Sequence, residues 1–163
     1  MISSRLLPQI QHHAGRKLVG MRTIMSLTDP KTPELWKKWM PRRKEIQHTC
    51  SEDFISMSIY PPHYFQLFQP DTLFEKWAAV EVSEGHNVPE GMETYHIPAG
   101  LYAVFHYRGW SHDPSIFQDI YSQWLPASDY VLDPRPHYEV LGEKYKNHDP
   151  DSEEDIWIPV RPK

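Results

Sequence analysis

Cysteine is almost missing from this sequence: Cys50 stands alone among 163 residues. A single thiol excludes an internal disulfide framework and a thiolate metal cage, and it fits a reducing compartment. Long apolar runs are missing too, and nothing approaches the roughly 18 residues of a membrane-spanning helix. The opening stretch MISSRLLPQIQHH has neither the apolar segment nor the cleavage pattern of a signal peptide. A cytoplasmic protein without a membrane partner is therefore expected. Positive charge is in deficit, with 17 Lys and Arg against 22 Asp and Glu and a net charge of −5. That balance argues against nucleic-acid binding through a general basic surface. His12-His13 and His48-x-Cys50 have no partner set at metal-ligand spacing, so they read as surface residues, and no metal or cofactor is expected. Ser111-His112-Asp113 contains the residue types of a catalytic triad, but neighbours in a turn cannot supply triad geometry.

Rings and prolines are what the chain has in excess, at 13% aromatic residues and sixteen prolines. With few Leu and Val, so many rings offer either flat walls for a ligand or aromatic strand cores. The chain is organised around Ile97 to Trp124. Leu101 to Tyr107 reads as a strand entered through Pro98-Ala99-Gly100 and ended by Gly109. Leu101, Ala103, Phe105 and Tyr107 share one face, and Tyr102, Val104 and His106 the other. Asp113-Pro114 then supplies an N-cap oxygen and a first helical residue. Ile116, Phe117, Ile120, Tyr121, Trp124 and Leu125 follow at helical spacing, and Pro126 closes the helix. A helix on one face of a sheet leaves the other face free, and the functional site is expected there.

Along the rest of the chain, residues 1–8 read as an arm and Lys17 to Leu27 as a strand. Pro33 opens a helix that Pro41 should kink or divide, and its basic cluster from Lys31 to Lys44 reads as a solvated face. Phe54 to Tyr60 alternates as a strand, an aromatic connection runs to Pro70, and Phe74 to Val82 is a further strand. Ser83 to Gly91 is a loop and a seam. Pro136 to Tyr145 reads as a strand; if Tyr138 and Val140 face the helices, Glu139, Leu141 and Glu143 face away. Asn147 to Asp155 is an acidic loop, and Ile156 to Val160 the last strand.

The second half repeats the first. Thr32-Pro33 corresponds to Asp113-Pro114, Trp39-Met40-Pro41 to Trp124-Leu125-Pro126, and the strand around Trp77 to that around Trp157. The fold class expected is α+β: one domain over residues 1–163 built as a tandem, pseudo-twofold repeat of strand-helix-strand-strand modules with antiparallel sheets. Module one covers about 9–83 and module two about 92–162, with a ligand cleft between them.

Ile97-Pro98-Ala99-Gly100, Tyr102-Ala103-Val104-Phe105, Arg108-Gly109, Tyr121, Trp124-Leu125-Pro126, Tyr138-Glu139 and Glu154-Asp155-Ile156-Trp157-Ile158-Pro159-Val160 occur in an order that resembles the GyrI-like small-molecule-binding family. That family is also known as the effector-binding domain of AraC-type and MerR-type regulators. The resemblance implies paired modules about a cleft that takes amphipathic, often cationic, aromatic compounds. It implies that Glu139 is the pocket carboxylate and Trp157 a lining ring, while Trp110 departs from the usual proline after the Arg-Gly pair. Tyr102, Phe105, Tyr107, Trp77, Tyr145 and Leu141 complete the candidate ligand-binding set. The physical basis is that a carboxylate attracts a cation through charge, while each ring face adds roughly 0.5–2 kcal/mol of cation–π attraction. Such a chain is expected to act as a stand-alone binder or sensor. Alternatives implied by the resemblance are a small hydrolase of cyclopropanoid-type compounds with Glu139 as acid or base, and an inhibitor with DNA gyrase as protein partner.

Overall fold

The computed structural model describes residues 7–111 and 113–163. His112, in the middle of the triad-like sequence, and most of the expected N-terminal arm lie outside the described residues. The elements run β1 (Gln9–His13), β2 (Arg16–Met25), α1 (Thr32–Trp39), β3 (Phe54–Ile59), β4 (Phe74–Glu81), β5 (Glu93–Ile97), β6 (Gly100–Arg108), α2 (Ser115–Asp119), α3 (Leu125–Ala127), β7 (Tyr130–Leu132), β8 (His137–Leu141) and β9 (Glu153–Pro162). The protein is α+β and dominated by its sheet. Pro41 falls where α1 gives way to a tighter 3₁₀ segment, Met40–Glu45, as a ring without an N–H should dictate. No helix among the described residues is long and apolar enough to cross a membrane.

Nine described strands pair antiparallel in the order β1-β6-β9-β8-β3-β4-β2-β5, with β7 against the far end of β9. The sheet curls until its ends meet. Gly15, at φ +106°, turns β1 into β2, and a Cβ there would lie 2.7 Å from the Ile97 carbonyl oxygen at the β5–β6 corner. Leu18 and Ile97 from one end thereby join Tyr102 and Trp157 from the other in a single cluster with Met57, Trp77 and Tyr138. Arg16 crosses the same junction: its Nε donates to Tyr138 Oη at 3.0 Å and its guanidinium sits 4.8 Å from the Trp157 ring centroid.

The helices cover the opposite face at two places. α1 lays Leu35 and Trp39 on Val19, Met21, Ala78 and Val80 of β2 and β4. The α2 segment lays Ile116, Ile120 and Trp124 on Ala103, Phe105, Ile156 and Ile158 of β6 and β9. Each such fully buried large side chain contributes roughly 1.5–3 kcal/mol. Between the two cores, β3 and β8 turn Ser56, Ser58, His137 and Glu139 to the helix side, with Ser56 opposite Glu139 and Ser58 opposite His137.

Several expectations need correction. The face away from the helices is not free; the curl fills it with the strands' own rings. On β8 the faces are reversed, since Tyr138 points into that ring cluster and Glu139 toward the helices. β8 stops at Leu141, where the chain turns and the Tyr145 N–H bonds the Gly142 carbonyl, so Tyr145 lies beyond the strand. β9 begins at Glu153, inside the stretch read as an acidic loop, because its first residues pair with Tyr107 and Arg108 of β6. Pro126 does not end the helix; it lies within α3. β1, β5 and β7 are additional short strands.

Candidate functional site

The polar strip between the helices is walled by rings. The Ser115 N–H donates to Asp113 Oδ1 at 2.9 Å at the start of α2. From Ile120–Trp124 the helix then widens into a π turn, a geometry that recurs at functional sites. Phe117 and Tyr121, one turn apart on the flank of this helix, look onto Glu139. On the opposite side stands the connection after β3. Tyr60 lies 4.5 Å from Tyr64 and 5.0 Å from Phe65 between centroids, and Phe65 reaches across to Tyr121 at 4.7 Å and stacks on His137 at 5.3 Å. The cleft as it stands is small, about 30 Å³, room for a water or two, and Ser56, Ser58 and Glu139 line it. Tyr60 and His137 also form part of the wall of a larger outer groove of about 400 Å³.

Burial sets the charge state of this site. His137 Nδ1 and Tyr121 Oη share a hydrogen bond of 2.7 Å, and burial, helped by Arg135, pushes the imidazole pKa down to about 3. His137 is thus a neutral ring at physiological pH. Burial also pushes the Tyr60 and Tyr121 hydroxyls up, so both stay protonated. A second carboxylate, Glu154, is 5% exposed and hydrogen-bonded to Glu139; burial first and the Glu139 charge second push its pKa far up. Lys76 Nζ donates to Ser58 Oγ at 3.2 Å, and burial lowers its pKa against the pull of both glutamates. Among the described residues no group of three or more His, Cys, Asp or Glu is arranged to hold a metal ion.

Of the residues singled out from sequence, Glu139 lies in this cleft. Tyr145 is near enough to feel both glutamates, and its pKa is raised by burial first and then by Glu154. Leu141 follows on the same face of β8 and is buried. Tyr102, Trp157 and Trp77 lie on the opposite side of the sheet, inside the curl. Phe105 and Tyr107 face the α2 segment as part of its core, and Tyr107 Oη donates to the Trp110 carbonyl at 3.0 Å. Trp110 is exposed in the loop beyond β6. The sheet therefore separates the expected set into two groups. The residues that surround Glu139, namely Tyr60, Phe65, Phe117, Tyr121, His137, Lys76 and Glu154, were absent from it. Alternation carried a signal for His137, two positions before Glu139 on one strand.

The comparison with known proteins fits this architecture. The family model for integron-associated effector-binding proteins matches residues 9–160. The chain belongs to that family. Among curated proteins, this family member is 33% identical over 149 residues to the transcriptional regulator BrlR of Pseudomonas aeruginosa, covering 88% of this chain and 51% of the regulator. The chain thus spans about half the length of the curated relative it matches. Solved effector-binding relatives share its fold. SAV2435 bound to tetraphenylphosphonium superposes with a TM-score of 0.68 at 15% identity, covering 94% of this chain and 93% of the other. An integron cassette protein from the mobile metagenome of Vibrio cholerae gives 0.64 at 17% identity, covering 94% and 95%. EcmrR, in its complex with DNA, gives 0.68 at 14% identity over 97% of this chain and 59% of the regulator.

Proposed function

We propose that this effector-binding protein takes an amphipathic aromatic cation into the cleft between its helix-covered cores. Glu139 meets the charge, and Tyr60, Phe65, Phe117, Tyr121 and the neutral His137 meet the rings. One observation carries the reading: a half-buried carboxylate stands in a small ring-walled cleft whose Tyr60 and His137 also wall a larger aromatic groove, so a ligand in that groove reaches Glu139 when these rings part. The order β2-α1-β3-β4 followed by β6-α2-β8-β9 supports two modules of strand, helix, strand and strand, with the cleft at their seam. The tetraphenylphosphonium bound by a protein of the same fold supports the ligand class. Each ring face adds roughly 0.5–2 kcal/mol to a cation, and the carboxylate adds charge attraction.

The test is calorimetric titration with tetraphenylphosphonium and with a neutral tetraphenyl analogue. Glu139→Gln should weaken the cation at least tenfold and the neutral compound hardly at all. Equal loss for both would make Glu139 a structural residue and remove the charge argument.

A second reading, hydrolysis, draws on the contact of Lys76 with Ser58 and on a protonated Glu154 beside Glu139. It predicts turnover of ester or cyclopropane-bearing compounds that disappears in Glu139→Gln while binding of an inert analogue persists. The binding reading requires only charge and rings; turnover also requires a positioned water.

A further inference from the structure

Glu154 has no role in the binding reading above, yet it is buried, at 5% exposure, beside the cleft. On the sheet, Glu139 pairs with Ile156, so Glu154 occupies the diagonal position on the same face, within side-chain reach. The two carboxyl groups are hydrogen-bonded, and Glu154 Oε2 is buried with no donor facing it among the described residues. Burial first and the neighbouring Glu139 carboxylate second raise the Glu154 pKa, so Glu154 keeps its proton at neutral pH. Lys76 faces the pair from β4: it donates to Ser58 and pulls the Glu154 pKa partly back down, while burial lowers its own. Tyr107 lies opposite Glu154 on β6. Tyr145 beyond β8 and Tyr60 and Tyr121 across the cleft are neutral, as is His137. Asp155 points to the other side of β9, where its Oδ1 meets His106 Nδ1 at 2.7 Å.

We propose that Glu139 and Glu154, diagonal neighbours on one sheet face, form one composite acceptor for a cation that carries N–H donors: a protonated primary or secondary amine, an amidine or a guanidine. The inference rests on the ligand-binding reading and adds to it a second carboxylate and a donor requirement. A quaternary ammonium or a phosphonium brings charge but no N–H. If the proton left, such a ligand would strand two buried carboxylates, so the proton stays and only one negative charge is available. An N–H cation replaces the single O–H···O bond with N–H···O bonds to both acids, each charge-assisted. The Glu154 O–H bond breaks, the proton passes to bulk buffer, and the ligand gains hydrogen bonds but no covalent bond. An exit exists, since Glu154 also lines a solvent-open groove with Lys144 and Glu153.

The probes are 1-naphthylmethylammonium and its N-trimethyl counterpart, titrated calorimetrically at pH 7 in phosphate and in MOPS, whose ionisation heats differ. The primary ammonium should release close to one proton on binding and the trimethyl compound none. Glu154→Gln should abolish the release and cut the preference for the primary ammonium about tenfold or more. A preference that survives in Glu154→Gln would mean that size alone discriminates, and would overturn the proposal. Binding of the primary ammonium to the wild-type protein without proton release would overturn it too, with no variant needed. That outcome leaves the ligand-binding reading standing, whereas absence of binding by both cations defeats both.

Discussion

His137 is held by three rings of the cleft. Phe65 stacks on it, Tyr60 meets it edge-on at 5.0 Å, and Tyr121 Oη binds its Nδ1. Tyr121→Phe would leave that nitrogen buried without a partner, which costs about 1–3 kcal/mol. The expected result is a lower urea midpoint with an unchanged slope. Tetraphenylphosphonium affinity should change little, because the ring face remains. Equal stability of the variant and the parent would mean that water reaches His137 and that the cleft floor is wet.

Gly20 fixes how closely β2 approaches β4. A Cβ there would run into the Ala78 carbonyl oxygen and come within 2.7 Å of Ala79 Cα, on the strand where α1 seats Trp39. Gly20→Ala should therefore cost at least 1–3 kcal/mol, the usual range for overpacking, seen as a fall in the thermal midpoint. Elements of this kind were the legible part of the chain. The alternation of Leu101, Ala103, Phe105 and Tyr107 and the spacing of Ile116, Ile120 and Trp124 placed β6 beneath the α2 segment, because both signals lie within one element. Less was legible where adjacency is made by pairing. Glu154 meets Glu139 only because β9 runs beside β8 in one register, and a shift of one residue would put the two carboxylates on opposite faces. QIQHH carries no strand propensity of its own; β1 exists because β6 offers it an edge. The aromatic connection after β3 was visible as composition, but its place over the cleft depends on the turn that brings Phe65 to His137.

At the scale of the whole molecule, two buried groups oppose each other in pH. His137 has a folded pKa of about 3 against an ordinary value of 6.5, so below pH 6.5 the unfolded chain holds the extra proton and stability is lost as pH falls. Glu154 is raised above its ordinary 4.5, so the folded state holds the extra proton, and its contribution, full below 4.5, is lost as pH rises. Between pH 4.5 and 6.5 the two slopes cancel. Outside that window each group contributes a slope of about 1.4 kcal/mol per pH unit. Urea unfolding across pH should show a plateau in the window, an alkaline decline that Glu154→Gln flattens and an acid decline that His137→Asn flattens. A decline above pH 6.5 that is identical in Glu154→Gln would show that Glu154 is not the group responsible.

The antiparallel pairing of β3 with β8 has a consequence during synthesis. Ser58 pairs with His137, some 80 residues further along the chain, and β1 waits a comparable stretch for β6. At ribosomal speeds of about 5–20 residues per second, β3 is complete roughly 4–16 s before its partner strand is made. For that interval Phe54–Ile59 presents an unsatisfied edge, open to the matching strand of a neighbouring nascent chain. Slower translation should therefore lower the soluble yield of this protein, and crowding of polysomes should favour copies clasped to one another through exchanged strands.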